Sequence, residues 1–145
     1  MSRSEVVIGV YKEDFYAVVG KDIDLFKTCD LIKETEDIII FWWQSVRWFP
    51  GFLEGVTEIM NVLKRIENKR KEDREKEAPN GEELLFDTGY GFLRIGEDPT
   101  DIEEEGELYE FGIYLNVSSS IEEGKKVKKE DFFSPNSIKF IKENN

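Results

Sequence analysis

Asp37-Ile38-Ile39-Ile40-Phe41-Trp42-Trp43-Gln44-Ser45-Val46 is the stretch on which the fold turns. Its apolar run is continuous, β-branched and aromatic, and it has the length of a strand rather than a helix. A strand that is apolar at successive positions must be covered on both faces, because neighbouring side chains point to opposite sides. Trp42 and Trp43 therefore belong to different layers. Trp48, Phe49 and Phe52 follow closely, so the corner after this strand is either a core feature or an aromatic interface.

Upstream, Val6-Val7-Ile8-Gly9-Val10-Tyr11 reads as a second strand. Lys12-Glu13-Asp14 is a polar break, and Phe15-Tyr16-Ala17-Val18-Val19 reads as its hairpin partner, ended by Gly20. Leu25, Phe26, Cys29 and Ile32 follow helical spacing and predict a short helix over 23–35, capped by Asp22 or Asp24. Cys29 then lies on the apolar face as a small buried hydrophobe.

Downstream, Phe52, Val56, Ile59, Leu63 and Ile66 step by four and three, with Leu53 and Met60 widening the stripe. This predicts a long amphipathic helix over 50–77, opened by Pro50-Gly51 and closed by Ala78-Pro79-Asn80-Gly81. Its charged end, residues 64–77, holds one apolar residue, Ile66, and is expected to project into water.

Leu84-Leu85-Phe86 and Tyr90–Ile95 read as a strand, with Gly89 and Gly91 marking a bulge or a close backbone approach. Residues 96–107 form an acidic hairpin loop with seven carboxylates. Leu108–Val117 alternates, with Tyr109, Phe111, Ile113, Leu115 and Val117 on one face, and predicts a half-buried strand paired across that loop. Farther on, Ser118-Ser119-Ser120 suggests a cap or turn, Lys125–Lys129 is basic, and Ile138–Ile141 suggests an edge strand or helical turn.

These elements give a single α+β domain over 1–145. It has an antiparallel or mixed sheet of about five strands, in chain order β-β-α-β-α-β-β, packed with one long and one shorter helix. At 145 residues one core is feasible, since a chain of this size buries roughly 68–70% of its unfolded surface. With 39% hydrophobic and 13% aromatic residues it is too apolar for disorder.

The charge is unevenly placed. The formal net charge is −12, and residues 78–124 carry thirteen acidic residues against one basic residue, Arg94. Such a field repels nucleic-acid backbone and anionic membrane and attracts a basic protein. It also serves solubility alone. There is no His and one Cys, so no His-based triad, imidazole metal ligand, intrachain disulfide or Cys-pair zinc site can be built. Asp98-Pro99-Thr100-Asp101-Ile102-Glu103 lacks the spacing of a calcium loop, and Gly89-Tyr90-Gly91 lacks the Gly-Lys-Ser/Thr of a phosphate loop. No cofactor or metal is expected. No run reaches the ~18 apolar residues of a membrane span, and Met1–Glu5 lacks a signal-peptide layout, so the expected location is cytoplasmic.

The expectation is a non-enzymatic acidic protein that neutralises a basic partner, with no direct binding to nucleic acid or membrane, as a monomer or weak homodimer. The partner-binding residues would be Glu97, Asp98, Asp101, Glu103, Glu104, Glu105, Glu107 and Glu110, with Tyr114 or Trp48 as an exposed aromatic anchor. Glu82, Glu83 and Asp87 would extend that surface. The alternatives are a self-associating module built on the aromatic cluster or the 138–141 edge, and an enzyme using carboxylates alone. The profile, small, acidic, aromatic-rich and α+β, is similar to that of many bacterial immunity proteins and phage-encoded inhibitors.

Overall fold

The structure, a computed structural model, describes residues 3–48, 55–77, 87–98 and 100–113. Five strands form one antiparallel sheet: β1 (Ser4–Tyr11), β2 (Leu31–Glu34), β3 (Ile38–Val46), β4 (Tyr90–Gly96) and β5 (Ile102–Gly106). Their spatial order is β2-β3-β1-β4-β5. The helices are α1 (Lys12–Val18), α2 (Ile23–Phe26) and α3 (Val56–Glu77), with 3-10 turns at Gly20–Asp22 and Leu108–Phe111. This is the α+β class that the sequence predicts, and the sheet is antiparallel throughout.

β3 is buried on both faces, as its continuous apolar run requires. Trp43 joins the larger core under the helices, while Trp42 joins a second cluster on the opposite face. Each indole N–H has a partner: Trp43 Nε1 donates to Thr28 Oγ1 at 3.1 Å, and Trp42 Nε1 to Glu5 Oε2 at 2.7 Å. In the larger core, the rings of Phe15, Phe26, Phe41, Trp43, Trp48 and Phe92 form a connected series, with neighbouring centroids 5.0 to 6.4 Å apart. α3 lays Val56, Ile59, Val62, Leu63 and Ile66 over this series. Residues 49–54, including Pro50 and Phe52, lie outside the described residues.

Three local expectations are overturned. Phe15–Val19 is not a strand: Lys12–Val18 is helical, with Glu13 and Asp14 in its first turn, where carboxylates favour the helix dipole. Helical spacing buries Phe15 and Val19 together, whereas strand alternation would spend the same face on Ala17. The helix over 23–35 is only one turn long. Residues 27–30 turn the chain, and Leu31–Glu34 pairs with β3 through Ile32↔Phe41. Pairing the exposed edge of β3 outweighs local helical spacing, because an apolar strand left without that neighbour would carry unpaired backbone groups. Cys29 is buried as expected, but in that turn rather than on a helix.

The third concerns 96–117. Chain reversal needs only residues 97–101, and the acidic segment that follows is itself a strand, β5, with Leu93↔Glu104 and Arg94↔Glu103 in register. Leu108–Phe111 is a 3-10 turn, not a strand, so Tyr109 and Phe111 do not share a face: Tyr109 is 64% exposed and Phe111 is buried. Gly106, at φ +76°, turns the chain onto the sheet. There, Gly9 and Gly91 stand opposite each other in the β1–β4 pairing and leave a gap in the second face, and the Phe111 ring fills it. The close approach read from Gly91 is thus present: a Cβ there would lie 3.2 Å from the Glu107 carbonyl oxygen. Residues 78–86 and 114–145, with the expected strand at 84–86, the serines at 118–120, the basic run and the 138–141 edge, lie outside the described residues.

A methyl group at Gly9 would meet Phe111 Cγ at 2.6 Å, so the ring must move. Gly9→Ala is expected to destabilise the fold by about 1–3 kcal/mol. In urea titrations Gly9→Ala with Phe111→Ala should cost clearly less than the two single changes added together, since they share one gap. Strict additivity would show that the two positions do not meet.

Candidate functional site

Two arginines organise the charged surface. The first is Arg94, on β4. Its guanidinium is nearly buried and donates to Asp101 from Nη1 (3.1 Å) and Nη2 (2.6 Å), to Glu103 from Nε (2.6 Å) and to Ser4 Oγ (3.0 Å). A planar fork with several donors suits this double recognition in a way an ammonium would not. Arg94 thereby folds the reversal at 97–101 back onto the sheet. The hydrogen bonds from Arg94 hold the Asp101 carboxyl below the usual carboxylate range. Asp98 is held low too, first by the Thr100 backbone N–H and then by the Thr100 hydroxyl.

The second is Arg70, on the charged half of α3. It donates to Asp14 at 2.6 Å and to Asp87 at 2.5 and 3.1 Å, and its guanidinium lies 5.1 Å from the centroid of the Tyr11 ring. Lys69 Nζ joins Asp14 at 3.0 Å, and Arg65 reaches Asp22 at 2.8 Å. The charged helix end is thus tied to α1 and to the approach to β4 through Lys69 and Arg70, while Lys71, Glu72, Asp73, Glu75 and Lys76 beyond them stand exposed to water, as expected. Tyr11 in turn donates to Glu110 at 2.8 Å, and its phenol is pushed up to about 12, first by burial and then by this bond. A polar cleft of about 440 Å³ opens beside Tyr11, Asp14 and Arg70, next to Glu36 and Asp37. Asp14 and Arg70 pair with each other there, so the cleft presents no unmatched buried charge.

These ties sort the residues expected to bind a partner. Glu97 accepts from the Arg3 backbone N–H at 2.9 Å, and Asp98 closes a turn with Thr100. Asp101 and Glu103 serve Arg94 but keep side chains 46% and 59% exposed. Glu107 turns inward and accepts from Thr88 N (2.8 Å) and Oγ1 (2.6 Å), and Glu110 serves Tyr11. The side chains of Glu104 and Glu105 are exposed and hold no hydrogen bond or ion pair among the described residues. Trp48 is not an exposed anchor: only 6% accessible, it packs on Trp43 and Phe92. Asp87 serves Arg70, while Tyr114, Glu82 and Glu83 lie outside the described residues. An exposed aromatic beside the acidic strand is Tyr109, which strand alternation placed on one face with Phe111 and Ile113. The signal that could have found it is the glycine pair Gly106 and Gly112, which breaks the strand on both sides.

Asp98 and Asp101 are both held low, whereas a general acid needs a carboxyl moved up. Burial pushes the Cys29 thiol up to about 12, far from a thiolate nucleophile. Among the described residues no cluster of Cys, Asp and Glu is arranged to hold a metal ion, and no described helix is long and apolar enough to cross a membrane. No protein-family model, curated protein or solved structure matches this chain. The functional reading therefore rests on the surface itself.

Two measurements check these assignments. Because Asp101 is depressed in the fold, its pairing contributes above the unfolded value of about 3.9 and is lost as the pH falls through the lower folded value. Arg94→Gln should move the Asp101 midpoint in an NMR titration up toward that value, while Asp98, held by Thr100, stays low; equal movement of both would assign the depression to the general field. Arg70→Met keeps the aliphatic stem but leaves Asp14 with Lys69 alone. The expected loss, read from thermal and urea unfolding, is about 2–3 kcal/mol, and a loss below about 0.5 kcal/mol would mark the cluster as an ordinary surface pair.

Proposed function

We propose that this chain is a non-enzymatic acidic binding protein that neutralises a basic protein partner. In the most concrete form it is an immunity protein, or an inhibitor mimicking nucleic acid, that occludes the active or substrate-binding surface of a nuclease-like effector. The observation that carries this reading is strand β5. Glu103, Glu104 and Glu105 stand exposed on β5, which among the described residues is the last strand of the sheet, and Glu104 and Glu105 are not consumed by side-chain pairing among those residues. Holding like charges together costs free energy that a cationic partner would recover. Fixing them on a strand supplies the preorganisation that a mobile loop lacks. Tyr109, three residues beyond β5, offers the aromatic contact area that many interfaces use.

The test begins by capturing the partner on the tagged chain from native-host extract, washing at low and then high salt, and identifying it by mass. Kinetics are then measured with the purified pair. Glu104→Gln with Glu105→Gln should slow association about tenfold at low salt and flatten its salt dependence, with stability unchanged within about 0.5 kcal/mol. Tyr109→Ala should act mainly on dissociation. Glu103 and Glu107 are left intact because Arg94 and Thr88 depend on them. An unchanged on-rate in the double variant would falsify the acidic-strand reading.

A further inference from the structure

The ladder between β4 and β5 fixes which backbone groups of β5 face outward. Gly96 N–H donates to the Asp101 carbonyl at 2.7 Å, and Glu107 N–H donates to the Tyr90 carbonyl at 3.0 Å. In an antiparallel pair, residues bonded to the neighbour alternate with residues whose N–H and C=O point away. Positions 101 and 107 are bonded toward β4, so positions 103 and 105 are too. The outward groups are the Ile102 carbonyl and both backbone groups of Glu104, because the Ile102 N–H closes the turn onto the Thr100 carbonyl at 3.2 Å. β5 has one neighbouring strand among the described residues, and Glu103, Glu104, Glu105 and Gly106 are all exposed.

We propose that this edge is a strand-docking site, on which a basic, extended segment of a protein partner adds a sixth strand beside β5. The proposal rests on the acidic-partner reading above and supplies its geometry. Strand addition takes its affinity from main-chain hydrogen bonds and its specificity from alternate side chains. Here the side chains select sign on both faces: Glu103 and Glu105 share the side of Arg94 and Phe92, and Glu104 the side of Leu93. A segment with lysine or arginine at successive positions meets a carboxylate whichever way each side chain points. A second copy of β5 is refused by the same residues, since like charges opposed across strands are destabilising. Exposed edges are commonly guarded by lysine, which repels copies of the edge in the same way. A purely glutamate edge guards against self-pairing while remaining open to a cationic strand.

The probe is a synthetic heptapeptide with lysine or arginine at successive positions, compared with the same peptide N-methylated at every residue, which keeps the charge and removes the backbone donors of both edges. The full chain is titrated with each, and amide exchange is followed by NMR. The parent peptide should slow exchange of the Glu104 amide about tenfold or more, and the methylated peptide should bind at least about tenfold more weakly. Glu104→Pro removes the outward N–H together with the carboxylate and should keep the fold by circular dichroism while weakening the parent peptide as much; Glu104→Gln, which removes the charge alone, should weaken it less. Equal affinity for the two peptides without protection of Glu104 would overturn strand docking and leave the charged-surface reading standing. Failure of both peptides to bind, alongside tight, salt-sensitive binding of a basic protein, would also overturn docking alone. Failure of the peptides together with an on-rate insensitive to Glu104→Gln and Glu105→Gln would remove both.

Discussion

β1 is hydrogen-bonded on both edges and buried on both faces, and the rest of the molecule answers to that double demand. Val6, Ile8 and Val10 need cover on one side, and Val7 needs it on the other. α3 and the short helices supply the first layer. The second includes the chain crossing at Leu108–Ile113, which can lie close to the sheet because Gly9 and Gly91 present no side chain there. A sheet with a single covered face would have left Trp42, Ile40 and Leu93 in water, at a cost of the order of 1.5–3 kcal/mol for each large side chain.

Electrostatics then divides the surface into spent and unspent charge. Arg70 and Lys69 draw Asp14 and Asp87 into a cluster that locks α3 to α1 and to the approach to β4. Through the Tyr11 ring and the Tyr11–Glu110 bond, that cluster also touches the second layer. Arg94 performs the same service at the other end of β4, and Thr88 takes up Glu107. The acidic excess counted over residues 78–124 is therefore not one uniform patch. Several of its carboxylates are structural, and among the described residues the part left free is concentrated on β5 at the end of the sheet.

The sheet's strongest strands and the long helix were legible because each is dictated by its own residues. Ile38–Val46 cannot be half-exposed, and the four-and-three stepping of Val56, Ile59, Leu63 and Ile66 suits no other period. Phe15–Val19 misled because an aromatic and β-branched segment satisfies strand propensity and a helical i,i+4 pair equally well; the depth of the core beside it decided. Leu108–Val117 misled through true alternation. Its face was to be set by a strand neighbour, yet positive-φ glycines and the gap over Gly9 bury Phe111 and Ile113 and leave Tyr109 exposed. Ile102–Gly106 was hidden because three successive glutamates read as loop, although pairing with β4 and the grip of Arg94 on Glu103 make them a strand.

For the candidate site, composition alone determined the sign of the field, its confinement to one region, and the absence of imidazole and paired-thiol chemistry. Those follow from counting side chains, and no fold can change them. Which carboxylates remain free, that Trp48 is core while Tyr109 is exposed, and that the glutamates stand on an edge were decided only in three dimensions. The reason is that a carboxylate's role depends on its nearest cation or N–H. For Asp14, Asp87, Glu97, Glu107 and Glu110 that neighbour comes from a residue 17 to 99 positions away.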